Sequence, residues 1–174
     1  SLGMITYGHP NTLPMTVDQM IEHTRAVRRG APNTMNLVAM PFGSYANPEV
    51  AVNNALRLMK EGGAEVVKLQ GGRDKFDIIK AVADAGVPVM SHVGMCPHFV
   101  NSYGGFKLQG RTAEDAIRII DDAKAIEEAG VDRISLPDTV GIMRPIGMYN
   151  FVKSVHSEVN IPLDVHVHND IGFA

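Results

Sequence analysis

The chain has one cysteine, Cys96. It therefore cannot form an intrachain disulfide framework or a cysteine-rich zinc site. No apolar run reaches the roughly 18 residues needed to cross a bilayer, and no charged-then-apolar segment opens the chain as an export signal would. Positive charge is not in excess: 16 Lys and Arg stand against 19 Asp and Glu, a formal net charge of -3 at pH 7. That balance gives no footing for nucleic acid or an anionic membrane, so neither is expected as a partner. A cytoplasmic protein is expected. No linker, low-complexity tract or charge block interrupts the 174 residues, so residues 1–174 are expected to form one α/β domain. The first residue is Ser1 rather than Met, which reads as a processed or trimmed N-terminus. A Walker loop, a Gly-x-Ser-x-Gly elbow and a His-Glu-x-x-His helix are all missing.

Short runs rich in Val, Ile and Leu alternate with longer helical patterns. Strands are expected over Asn36–Met40, Glu65–Leu69, Val87–His92, Asp132–Leu136 and Pro162–His168. Their nearly continuous apolar character suits strands buried on both faces of a parallel sheet. Thr16 with Gln19 reads as a capping box opening a helix to about Arg29. Asn47-Pro48 supplies a cap and a first-turn proline for a helix to about Glu61. Asp74 is expected to cap a helix to about Ala85. Thr112 is expected to cap one to Ala129, with Ile117, Ile120, Ala123, Lys124 and Glu127 setting its face pattern. A last helix is expected from Pro145 to Ser157. Gly30, Gly63, Gly86 and Gly130 each stand where a helix stops and a strand begins. Such a repeat is a series of βαβ crossovers. Five strands are too few for a closed eight-stranded barrel, which takes about 250 residues. The expectation is a partial TIM (β/α)8-type barrel of about five parallel strands with crossover helices, the alternative being an open doubly wound parallel sheet.

Both architectures place their sites at the carboxyl ends of the strands, where polar residues gather. In Asp164-Val-His166-Val-His168-Asn-Asp, alternation puts Asp164, His166 and His168 on one face of a strand. Two histidines at that spacing suit one divalent metal, with a further ligand needed; the alternative is a set of hydrogen-bonded polar residues filling a barrel interior. Lys68 and Gln70 end another strand before Gly71-Gly72. The lysine can hold a carboxylate or phosphate, and the glycines form either an anion nest or a simple turn. His92 is placed as a general acid or substrate donor, or as a structural histidine. Cys96 has no evident base partner and reads as inert. The glycine-rich stretch from Asn101 to Arg111 reads as a functional loop but lacks dinucleotide-fingerprint spacing. Asp138-Thr139 offers a carboxylate and a hydroxyl to a ligand, or forms a helix-entry turn.

The stretches Ser1-Leu-Gly-Met, Thr12-Leu-Pro-Met-Thr-Val, His23-Thr-Arg-Ala-Val-Arg-Arg-Gly-Ala-Pro, Met40-Pro-Phe-Gly-Ser-Tyr, Val67-Lys-Leu-Gln-Gly-Gly, Ser91-His-Val-Gly-Met and Gly104-Gly-Phe-Lys-Leu-Gln-Gly-Arg-Thr follow one another in order. Through them, residues 1 to about 128 resemble ketopantoate hydroxymethyltransferase. The resemblance implies a TIM barrel that uses magnesium to enolise a branched 2-oxoacid and adds a one-carbon unit from methylenetetrahydrofolate. Through Glu128-Ala-Gly-Val-Asp-Arg-Ile-Ser-Leu-Pro-Asp138-Thr-Val-Gly and Pro162-Leu-Asp-Val-His166-Val-His168-Asn-Asp, residues from about 128 to 174 are similar to homocitrate synthase and isopropylmalate synthase. That likeness implies a metal at the His pair and acetyl-CoA as co-substrate. Together they imply a hybrid of two barrel families with its seam near Glu128.

By resemblance, Lys68 and His92 are the catalytic residues; Ser1, Lys68, Asp138 and Thr139 bind substrate; His166, His168 and Gln70 hold metal. The first set of positions also departs from the transferase pattern. Ala39 stands where that family has a carboxylate, Gln70 where it has the glutamate of Lys-x-Glu-Gly-Gly, and its catalytic glutamate on the sixth strand has no counterpart. The expected outcome is a transferase-like chain acting on a 2-oxoacid, with hydroxymethyl transfer impaired or absent. The rival readings are a synthase-like Claisen condensation and a non-catalytic structural hybrid. Magnesium is implied by the first resemblance, zinc or a similar ion at the His pair, and a homo-oligomer by the unpaired edges of a partial sheet.

Overall fold

In the computed structural model, residues 2–172 are described. The caps form as their chemistry requires. A single-turn helix α1 (Leu2–Ile5) precedes α2 (Val17–Gly30), where the Thr16 side chain accepts the Gln19 N–H and the Gln19 side chain accepts the Thr16 N–H. Asn47 accepts the Val50 N–H to open α3 (Pro48–Lys60). A 3-10 turn at Arg73–Lys75 leads into α4 (Phe76–Asp84). Asp74 lies inside that turn and accepts the Gly72 N–H, so it caps no helix. A second 3-10 turn, Pro97–Phe99, leads into the single-turn helix α5 (Val100–Tyr103). Neither of these was legible in the sequence. Thr112 accepts the Asp115 N–H to open α6 (Ala113–Glu128), and α7 spans Pro145–His156. The buried stripe of α6 is Ile119, Ala123 and Ile126 rather than the face expected around Ile117, which is 59% exposed.

The strands are β1 (Leu37–Ala39), β2 (Val66–Gln70), β3 (Val89–His92), β4 (Arg133–Asp138) and β5 (Leu163–Val167). Their order in the sheet is β1-β2-β3-β4-β5, with β1 parallel to β2 and β4 parallel to β5. A doubly wound sheet reverses its strand order at a switch point, whereas a barrel adds each strand beside the last. The sequential order assigns the chain to the partial (β/α)-barrel class.

The chain divides into two compact units, Ser1–Leu69 with Asp77–Met90, and Gln70–Phe76 with Ser91–Ala174. In the first, Leu58, Val67, Leu69, Ile79 and Val82 are fully buried. Asn36, also buried, donates from Nδ2 to the carbonyls of Thr24 and Gly63, joining the start of β1 to the middle of α2 and to the turn before β2. In the second, Val93, Ile126, Ile134, Leu136 and Val155 form the core. The expectation of strands buried on both faces holds for β4 but not for β5, where Val165 is 45% and Val167 is 37% exposed. β5 is last in the strand order, so β4 flanks it on one side only.

Candidate functional site

β2 presents two faces. Val67 and Leu69 are buried on one, while Val66, Lys68 and Gln70 are half-buried on the other. In the first unit Lys68 is in register with Ala39 on β1, and its carbonyl accepts the Met40 N–H at 2.9 Å. The residue beside the lysine ammonium stem across the strand pair is thus a methyl group. Ser1 lies outside the described residues.

In the second unit the carboxyl ends of the strands are held by side-chain to backbone bonds. Gln70 Oε1 accepts the His98 N–H at 3.1 Å. His98 is buried, and that burial pushes its imidazole down to about 4. Nε2 of buried His92 lies 2.7 Å from the Met95 carbonyl. A carbonyl only accepts, so Nε2 carries the proton. The Cys96 thiol donates to the His92 carbonyl at 3.5 Å, closing the same turn from the other side. The Lys75 ammonium stands 5.6 Å over the Phe99 ring.

The Gly71-Gly72 turn already holds carboxylates of the chain itself. Asp74 accepts from Gly72 N at 3.1 Å and Asp122, from α6, accepts from Arg73 N at 3.0 Å. Burial raises the Asp122 pKa above the ordinary carboxylate value. A Cβ at Gly72 would overlap the Asp122 carboxyl, so glycine is required there by close approach. Nothing in the sequence pattern marked Asp122, because it comes from a helix 50 residues away.

Asp138 ends β4 in a buried position. Its Oδ1 accepts the Gly141 N–H at 2.9 Å and its Oδ2 the Met143 N–H at 2.7 Å. The carboxylate therefore shapes its own loop, and Thr139 beside it lines a cavity. On β5 the rings of His166 and His168 stack 5.4 Å apart at an interplanar angle of 7°. His166 is exposed and His168 half-buried.

A magnesium ion prefers hard, mostly anionic oxygen ligands. Ala39 offers no side-chain donor, and the Gln70 amide oxygen carries no charge and already accepts from His98 N. Among the described residues no three of His, Cys, Asp and Glu converge on one ion. Neither the Ala39 nor the Gln70 side chain by itself supplies the anionic oxygen that magnesium prefers. His166 and His168 stack on each other, and among the described residues no third such ligand converges with them.

The family model for ketopantoate hydroxymethyltransferase matches residues 1–143. The chain belongs to that family. The match crosses the seam placed near Glu128 and takes in β4 and the Asp138 loop. The 3-methyl-2-oxobutanoate hydroxymethyltransferase 1 of Methylibium petroleiphilum is 51% identical over 130 residues, covering 75% of this chain and 44% of the relative. The enzyme of Geobacillus kaustophilus is 52% identical over 131 residues, covering 75% and 47%. That of Thermus thermophilus is 48% identical over 130 residues, covering 75% and 50%. The chain thus spans about half the length of these curated relatives. Among solved structures, the carboxyl transferase domain of Rhizobium etli pyruvate carboxylase matches with a TM-score of 0.62 at 20% identity, over 85% of this chain and 25% of that one. Rhizobium etli pyruvate carboxylase T882A with the allosteric activator acetyl coenzyme-A gives 0.65 at 20% identity over 88% and 15%. At that identity the likeness speaks for the fold alone. No helix among the described residues is long and apolar enough to cross a membrane.

Proposed function

We propose that this member of the ketopantoate hydroxymethyltransferase family binds a branched 2-oxoacid through Lys68 but does not transfer a hydroxymethyl group to it. The substrate class follows from the relatives, which are named for 3-methyl-2-oxobutanoate. The observation that carries the reading is the register pair Ala39–Lys68. A lysine charge is enough for weak affinity toward a carboxylate. Enolising the bound oxoacid demands stabilisation of negative charge on its oxygen, usually the largest single contribution to such catalysis. Ala39 and Gln70 leave no anionic oxygen at either position to hold a cation for that purpose. Loss of an orienting ligand of this kind costs roughly a thousandfold or more in rate. Methylenetetrahydrofolate is then a co-substrate of the resembled reaction without a productive role here.

The test is proton exchange at carbon three of 3-methyl-2-oxobutanoate, followed by NMR in deuterated buffer with magnesium. Exchange at the buffer rate, with line-broadening of the oxoacid lost in Lys68→Ala, is expected. Magnesium-dependent exchange above the buffer rate, abolished by Lys68→Ala, would overturn the proposal and restore a working enzyme.

A second reading rests on the parallel rings of His166 and His168. It gives the chain a zinc-, nickel- or cobalt-binding pair of the kind the resembled synthases use. It does not require acetyl-CoA chemistry.

A further inference from the structure

Within the second unit, between the loop after β3, the loop after β4 and the facing sides of α6 and α7, lies a cavity of about 300 Å³. Its walls are apolar: Met95, Leu108, Ile119, Val140, Met143 and Phe151. The polar groups at it are the neutral side chains of Gln109, Asn150 and Ser154, with Thr139. The described lining residues include no Lys, Arg or His. The one charged side chain is Asp138, and each of its oxygens already accepts a backbone N–H, from Gly141 or Met143.

Two glycines shape this space. Gly147, in the first turn of α7, lines the cavity, and a Cβ there would meet only Met143 Cγ, at 3.4 Å. Gly110, at φ +74°, lets the 104–111 loop approach so closely that a Cβ would stand 3.1 Å from Ile119 Cδ1. Glycine within a helix is unfavourable relative to residues with a side chain. A space of this volume is at the lower bound of ordinary small-molecule sites, which are mostly apolar with a few placed polar groups.

We propose that this cavity is a binding site for an uncharged, largely apolar small molecule of one or two rings or a branched aliphatic chain. It is separate in chemistry from the oxoacid reading. A carboxylate or phosphate entering it would be desolvated beside Asp138 with no cation to meet it, which is costly. A neutral molecule would exchange its apolar surface for that of the walls, and could donate or accept at Asn150 and Ser154.

The neutral fluorophore N-phenyl-1-naphthylamine probes the site on the full chain. Saturable binding at one site per chain is expected, with the anionic 8-anilinonaphthalene-1-sulfonate binding at least tenfold more weakly. Gly147→Leu places a side chain in the space and improves the helix, so it should cut affinity for the neutral probe at least tenfold without lowering the melting temperature. Ala116→Leu narrows the same cavity from α6 and serves if Gly147→Leu does not fold. Ile117→Ser removes an exposed apolar side chain elsewhere on α6 and should leave binding unchanged. Equal binding of the two probes, or neutral-probe affinity that both filling variants leave intact, would sink the proposal.

Discussion

The amide oxygen of Gln70 accepts the backbone N–H of His98 at 3.1 Å, tying the end of β2 to the 3-10 turn beyond β3. A glutamate could accept the same bond. Gln70→Glu should therefore keep the fold, whereas Gln70→Ala leaves a half-buried N–H without that acceptor. The expected loss in Gln70→Ala is about 1–3 kcal/mol, read from urea denaturation. A Gln70→Ala variant as stable as the parent would show that the bond is not holding the turn.

His98 makes the same turn sensitive to acid. Its imidazole is buried and titrates near 4 in the folded chain, against about 6.5 when unfolded. Between those values the unfolded chain binds the extra proton and the folded chain does not. Stability from this group is therefore fully present above about pH 6.5 and falls as the pH drops toward 4, by on the order of 2–3 kcal/mol. Thermal unfolding from pH 7.5 to 4.5 measures it, and His98→Gln should flatten the profile.

Asp138 holds two N–H groups of the loop that follows β4. Asp138→Ala releases both and should cost about 2–4 kcal/mol, because bonds to a charged acceptor are the stronger kind. Asp138→Asn retains one good acceptor and should fall between. Hydrogen exchange at Gly141 and Met143 gives the site-resolved readout, since protection there should collapse in the alanine variant.

Gly72→Ala drives a methyl into the Asp122 carboxyl. The chain must move α6 or the turn to accommodate it, at about 1–3 kcal/mol. Asp122→Ala on the same background should recover much of that loss, in a double-mutant cycle monitored by melting temperature.

The His166–His168 pair should bind zinc weakly and magnesium hardly at all, because imidazole nitrogen suits the first and oxygen the second. Titration calorimetry with the parent and His166→Ala decides it. Equal zinc affinity in the variant would assign the pair a purely structural role. Light scattering addresses the expectation of self-association, which rests on the outermost strand β5 and its exposed Val165 and Val167; a strict monomer at tens of micromolar (roughly) would remove it.

Helix starts were legible in the sequence because capping is local: Thr16, Asn47 and Thr112 reach N–H groups only three residues away. Sequential βαβ order was legible because glycine stops and apolar runs recur at crossover spacing. Family membership was legible in motifs such as Val67-Lys-Leu-Gln-Gly-Gly. What side chains do after the chain returns on itself was not legible. Asp122 reaches the Gly72 turn from a distant helix, and Gln70 meets His98 across 28 residues. Asp138 serves its own loop rather than standing open. β5 has the same valine-rich alternation as a buried strand, yet Val165 and Val167 are exposed because no other described segment covers them. Local hydrogen bonds and hydrophobic period are properties of adjacent residues and are written in the sequence. Which polar group each buried donor finds, and which apolar face is left uncovered, depends on the packing of segments far apart in the chain, and only the tertiary structure decided it.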